Sequence, residues 1–219
     1  MRRLFDHPTD HVTVREAYDV DRPRPVNRPW LGICMVASID GSTVVDTNSR
    51  GLSSDTDREV LLTLRQLADI LIVGAATVRI EGYTTPKKLG QRVGVVSRRG
   101  EIDATTPLFT SGAGFLILPE DAPATPVDSV RAGRGDVDLG AALAQLDADF
   151  VQAEGGAQLN GALAEADLID ELNLTISPML AGGDGPRVTH GAVQLARPMR
   201  LSHVLEDGGF LFTRYLRAP

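Results

Sequence analysis

The sequence holds a single cysteine, Cys34, so no disulfide can close within it. That suits a reducing compartment. Cys34 lies in an apolar, strand-like run with nothing nearby to favour a thiolate, which marks it as a small core residue. Histidine is scarce: His7, His11, His190 and His203 are the whole set. His7 and His11 have helical spacing but sit in a Pro- and Asp-rich leader. There is no HExxH and no CxxC, so no metal site is expected. No apolar run approaches the ~18 residues of a transmembrane helix. The opening MRRLFDHPTD lacks the apolar stretch of a signal peptide. A cytoplasmic protein with no membrane partner is expected. The net charge of −7 argues against nucleic acid as a partner, because bulk phosphate binding needs clustered Lys and Arg. A small basic pocket for one phosphate is compatible with it. No internal repeat and no interdomain linker is visible, and 219 residues suit one domain with a tail.

What is present is an alternation of strands and helices. Residues 1–28 form an N-terminal arm whose prolines at 23 and 25 favour extended backbone, with Pro29 at its border. The arm either packs on its own domain or a second subunit, or is a partly mobile tail; the sequence alone leaves these open. The domain proper covers 29–219. LGICMVAS (31–38) has a buried-strand pattern, and TVVD (43–46) reads as a short extended return. DREVLLTLRQLAD (57–69) is an amphipathic helix, with Ser54 as N-cap and Asp57 in capping-box position. Strands follow at 70–74, 93–97 and 114–119, with a short helix at 75–82. The Pro-, Gly- and Asp-rich stretch 119–136 reads as loop. Asp138 caps a helix over 139–148. Then come a strand and glycine turn (150–156), a small-residue helix (157–170), a strand (171–178), and a hairpin around Asp207-Gly208-Gly209. This order predicts an α/β fold: a mostly parallel central sheet flanked by helices, with an antiparallel C-terminal hairpin.

In open α/β sheets, ligands gather at the carboxyl ends of the strands. Three such ends carry chemistry. EGGAQLNG (154–161) delivers Glu154, a glycine turn and a helix start, which suits a phosphate; glycine pairs in such turns also serve geometry alone. VVSRRG (95–100) offers Ser97 and Arg98 as a hydroxyl and guanidinium cradle for a 2′-phosphate, or is simply a solvated basic turn. GAATVRIEGY (74–83) offers small residues, Thr77 and the carboxylate of Glu81, or a capped turn with a surface Glu. Asp40 and Asp46 are acid/base candidates, although an Asp in an S-x-D-G turn more often satisfies its own backbone. GGDG (182–185) is a flexible loop that either closes on a ligand or is a plain turn.

Taken together, MVASIDGS (35–42), LRQLADILIVGAATVRIEGY (64–83), the long segment from Ala153 to Gly185, and FLFTRYL (210–216) resemble the reductase domain of the bifunctional riboflavin-biosynthesis deaminase–reductase. The resemblance is closer still to stand-alone actinobacterial-type pyrimidine reductases and spans nearly all of 30–217. It implies a dihydrofolate-reductase-like fold, a homodimer, NADPH as cofactor, and hydride transfer to the ribose C1′ of a phosphoribosylamino-pyrimidine. By motif position it places Ala37, Gly74, Ala75, Thr77, Ser97 and Arg98 on the cofactor, with Gly155, Gly156, Ala157, Gln158 and Leu159 as the core of that site. It places Ser49, Arg65, Lys88 and Glu154 on the substrate side, with Arg65 and Lys88 toward its phosphate. Glu81, or a water it holds, is the expected proton source. Glu81 stands where bifunctional members carry Asp, and the segment after Tyr83 is short. The deaminase signatures H-x-E and P-C-x-x-C do not occur in these residues. Two alternatives stand beside this reading: a same-fold reductase of dihydrofolate or a pterin, and a non-catalytic dinucleotide-binding protein.

Overall fold

The structure is a computed structural model that describes residues 1–194 and 196–218. Its elements in chain order are β1 (Arg2–Phe5), α1 (Val14–Tyr18), β2 (Trp30–Ser38), a 3₁₀ turn (Arg50–Leu52), α2 (Asp55–Leu67), β3 (Ile70–Gly74), α3 (Ala75–Glu81), β4 (Arg92–Val96), α4 (Pro107–Thr110), β5 (Gly114–Leu118), β6 (Ser129–Arg131), α5 (Leu139–Ala144), β7 (Phe150–Ala153), α6 (Ala157–Glu165), β8 (Glu171–Ser177), β9 (Met199–Asp207) and β10 (Phe210–Arg217). Among the described residues the strands form one ten-stranded sheet in the order β1-β9-β10-β8-β2-β7-β3-β4-β5-β6. From β8 to β6 neighbouring strands are parallel. β10, β9 and β1 extend the sheet antiparallel. The expected architecture, a parallel sheet ending in a hairpin, is the one observed.

The parallel strands are covered on both faces, which is why they read as unbroken apolar runs. Along β3, Ile70 and Ile72 point to one side and Leu71 and Val73 to the other. The Leu71 face packs on α1, α2 and α4 through residues such as Tyr18, Leu64 and Leu108, all fully buried. The Ile72 face packs on α5 and α6 through Leu143 and Leu163. Truncating one such leucine to alanine typically costs about 2–5 kcal/mol.

Several boundaries differ from the sequence reading. α2 begins two residues earlier and ends two earlier. The Ser54 hydroxyl accepts from the Asp57 N–H at 3.1 Å, as an N-cap should. The reciprocal half of a capping box is absent, because the Asp57 carboxylate takes the Ser53 hydroxyl at 2.5 Å instead. Asp138 caps α5 through the Ala141 N–H at 2.9 Å, but the helix stops at Ala144. α6 ends at Glu165, short of 170, where the chain turns through Asp167 at φ 56°. The stretch 119–136 is not all loop: it contributes β6 to the sheet edge. Residues 43–46 form no strand, only an isolated bridge from Val45 to Asn48.

The N-terminal segment folds back on its own sheet. β1 pairs with β9. α1 carries a complete capping box between Thr13 and Glu16. Arg22 donates two hydrogen bonds of 2.9 Å to the buried carboxylate of Glu171, and Arg28 donates two, of 2.6 and 2.8 Å, to Asp170.

Candidate active site

The carboxyl ends of β2, β7, β3 and β4 open into one cleft of about 1710 Å³. Its walls come from α2, α3, the turn after β4 and the start of α6. Both basic and acidic side chains line these walls, in a chain whose net charge is −7.

The turn between β7 and α6 forms the floor. Gly155 has φ +76°, a conformation that favours glycine. Its carbonyl accepts from the Gly74 N–H at 2.7 Å, which ties the ends of β7 and β3 together. A Cβ on Gly156 would lie 2.8 Å from the Thr77 hydroxyl oxygen, so the backbone there is bare by necessity. Gly156 is the N-cap of α6, and no side chain caps that terminus. The helix therefore presents N–H groups and partial positive charge toward the cleft. Gly74, Ala75, Thr77, Gly156, Ala157, Gln158 and Leu159 all line the cleft. Ala37 and Gly155 do not reach its wall: Ala37 is buried opposite Ile176 of β8, and Gly155 lies beneath the turn, against Met35.

Ser97 and Arg98 line the far end, after β4. The Ser97 hydroxyl oxygen accepts the Gly100 N–H at 3.1 Å, which closes the turn and leaves its own proton to donate. The Arg98 guanidinium is exposed and lies 3.9 Å from Asp136.

On the opposite side Glu154 is the most heavily bonded carboxylate of the cleft. Its side chain is 3 % exposed. Arg65, near the end of α2, donates to it from Nε at 2.6 Å and Nη2 at 2.7 Å. The Tyr83 hydroxyl donates to the same carboxylate. The Arg65 guanidinium also stands 5.3 Å above the Tyr83 ring. Burial works against the Arg65 charge, but the bond and charge of Glu154 outweigh it and raise its pKa. Burial, then the Glu154 charge, push the Tyr83 phenol well above its ordinary value, so it stays protonated.

Lys88, expected near a phosphate, donates to the Ala68 carbonyl at 2.7 Å. Gln91 donates to the same oxygen at 2.8 Å and to the Arg65 carbonyl at 2.6 Å. Together they close the C-terminal end of α2. Lys88 still lines the cleft with two ammonium protons unspent. Glu81 ends α3, just before Gly82 at φ +69°. Its Oε1 is 3.5 Å from the Ser49 hydroxyl and its Oε2 is 3.9 Å from Arg50. Both Glu81 and Ser49 line the cleft.

Asp40 is fully engaged elsewhere. It accepts from the Ser38 hydroxyl at 2.5 Å and from the N–H groups of Ala181 and Gly182 at 3.0 and 2.7 Å. These bonds, the Ser38 one foremost, hold its carboxyl well below the usual range. It anchors the glycine loop, whose Asp184, with Pro186 just beyond, reaches the cleft wall. Asp46 sits in a turn at φ 58°. Sequence reasoning missed Tyr83, Asp136 and Arg58 as parts of the cleft. Arg58 had a signal: it precedes Arg65 by seven residues, two helical turns on one face.

The sequence profile of the RibD C-terminal domain matches residues 29–211. The 2,5-diamino-6-ribosylamino-4(3H)-pyrimidinone 5′-phosphate reductase of Methanothermobacter thermautotrophicus is 27% identical over an alignment of 195 positions that covers 80% of this chain and 90% of that protein. A pyrimidine reductase-like protein from Corynebacterium diphtheriae superposes with a TM-score of 0.77 at 20% identity, over 89% of this chain and 94% of that one. Dihydrofolate reductase from Enterococcus faecalis superposes with a TM-score of 0.54 at 14% identity, over 87% and 97% of the two chains. The expected likeness to the dihydrofolate reductase fold therefore holds. With a profile match that runs from the start of β2 into β10, the chain belongs to the RibD C-terminal domain family.

Proposed function

We propose that this protein is an NADPH-dependent reductase of the riboflavin pathway that reduces the ribose C1′ of a phosphoribosylamino-pyrimidine to a ribityl chain. The observation that carries this reading is the turn of Glu154, Gly155 and Gly156. It sets a buried, hydrogen-bonded carboxylate immediately beside a bare backbone and an uncapped helix start. The name of the Methanothermobacter relative, a pyrimidinone phosphate reductase, supports the same substrate class.

A nicotinamide cofactor fits the residues present, since the bare backbone of Gly156, the Thr77 hydroxyl and the uncapped start of α6 all border the cleft. Thr77 and the α6 N–H groups would hold its pyrophosphate, and Ser97 with Arg98 its 2′-phosphate. When bound, the nicotinamide supplies the hydride. The chain's own tasks are placement and proton supply. Glu154, fixed by Arg65 and Tyr83, offers its remaining lone pair to a hydroxyl or amino group of the substrate. Lys88 offers its unspent protons to the substrate phosphate. Arg65 is committed to Glu154, so its charge is already balanced. Glu81, with Ser49 beside it, holds the proton or the water that completes the reduction. The reading includes a homodimer. Exposed Ile39 and Leu180, on neighbouring loops joined by the Ile39 N–H to Met179 carbonyl bond, favour a second copy as partner.

The test is to follow cofactor oxidation by the loss of absorbance at about 340 nm. Oxidation that requires the phosphorylated pyrimidine supports the reading. Oxidation with dihydrofolate alone would move the protein to another substrate.

A further inference from the structure

Tyr83 belongs to no element and sits in the short segment between α3 and β4. Its hydroxyl nevertheless meets a carboxylate 71 residues away in sequence. A carboxylate offers about four lone-pair sites. At Glu154, Arg65 fills two and Tyr83 a third. Arg65 approaches from α2 and Tyr83 from the α3 side, so the two donors fix the carboxylate from different elements. A phenol kept protonated is a donor only toward this acceptor, and it adds no charge to the cleft. Tyr83 is half-buried and lines the cleft itself.

The geometry points to Tyr83 as a positioning residue: it orients Glu154 so that one carboxylate lone pair faces the cleft for a hydroxyl or amino donor of the substrate. This rests on the reductase reading above and adds to it a residue that acts through Glu154. Tyr83 thereby tunes substrate recognition without taking part in cofactor binding, whose cradle lies on the Thr77 side of the glycine turn.

A cycle of Tyr83→Phe, Glu154→Gln and the double variant tests this, each purified as the full chain. Tyr83→Phe keeps the ring beneath Arg65 and removes only the donor. It is expected to raise KM for the phosphoribosylamino-pyrimidine by about tenfold, with NADPH affinity and Tm near those of the natural protein. In the Glu154→Gln background the same change is expected to add nothing, because its effect runs through that carboxylate. Independent, multiplying losses would overturn the proposal. So would a fall in NADPH affinity and Tm with KM unmoved. A second readout does not depend on turnover: the ultraviolet titration of Tyr83, isolated as the difference from Tyr83→Phe. Glu154→Gln is expected to move its ionisation to lower pH. If the natural protein reduces no pyrimidine but this titration shifts, the reductase reading fails and the Tyr83–Glu154 contact stands. An unshifted titration overturns the contact itself.

Discussion

Arg65 and Glu154 are joined by two parallel hydrogen bonds of 2.6 and 2.7 Å, from the last turn of α2 to the end of β7. The pair spans 89 residues of sequence and binds a face helix to the centre of the sheet. Removing one partner of a buried pair typically costs about 3–5 kcal/mol. Arg65 is one third exposed, so Arg65→Ala is expected to cost less, about 2 kcal/mol. Urea unfolding measures this. A variant as stable as the natural protein would mean that Glu154 is solvated from the cleft.

The glycine turn makes a separate prediction. A methyl group on Gly156 would enter the space beside Thr77. Gly156→Ala is expected to weaken NADPH binding about tenfold, or ~1.4 kcal/mol. Fluorescence titration reads the affinity directly. Unchanged binding would place the cofactor elsewhere in the cleft.

Cofactor choice should depend on two exposed, opposed charges. Arg98 faces Asp136 at 3.9 Å, and only the first favours a 2′-phosphate. Arg98→Ala is expected to lower affinity for NADPH by about tenfold and leave NADH unchanged, since a charge-assisted bond contributes about 1.5–3 kcal/mol. Asp136→Asn is expected to strengthen NADPH binding. Parallel changes for both cofactors would show that Arg98 does not contact the 2′-phosphate.

Acid sensitivity follows from two buried groups where the N-terminal segment meets the sheet. His203 packs edge-on against Tyr18 at 5.0 Å, and burial pulls its pKa from 6.5 to about 4. The unfolded chain then binds the proton more readily, so stability falls as pH drops from 6.5 toward 4. Burial opposes the charge of Glu171, but Arg214 and Arg22 overcome this and hold its pKa at about 2, below the ordinary 4.5. Its contribution is complete above pH 4.5 and is lost as pH falls toward 2. Thermal melts should show a Tm flat above neutrality and declining in these two successive windows. His203→Phe should flatten the upper one. A decline of the same size in that variant would assign the upper window to other groups.

The sheet and its flanking helices were legible because both periodicities are strong. β3 is an unbroken apolar run, and the caps of α2 and α5 are a serine and an aspartate in the usual places. β6 was hidden because three residues, Ser129 to Arg131, carry no alternation and stand among prolines and glycines. α1 is a five-residue helix masked by the prolines downstream of it, although Thr13 and Glu16 spell a capping box. The cleft residues were legible where they sit on strand ends and motifs, as Thr77, Glu154 and Gly156 do. Their pairing was not. Nothing in the local sequence of Arg65 says that its charge will be spent on Glu154, or that Lys88 will close the helix end at Ala68. The first contact arises only when β7 is inserted between β2 and β3, and the second when β4 pairs with β3.

The most direct measurement uses NADPH carrying deuterium at the transferable position of the nicotinamide, with the phosphoribosylamino-pyrimidine as acceptor. Deuterium at C1′ of the ribityl product, located by NMR, is the expected result. Deuterium on the pyrimidine ring, or cofactor oxidised with none in the product, would contradict the proposed reduction.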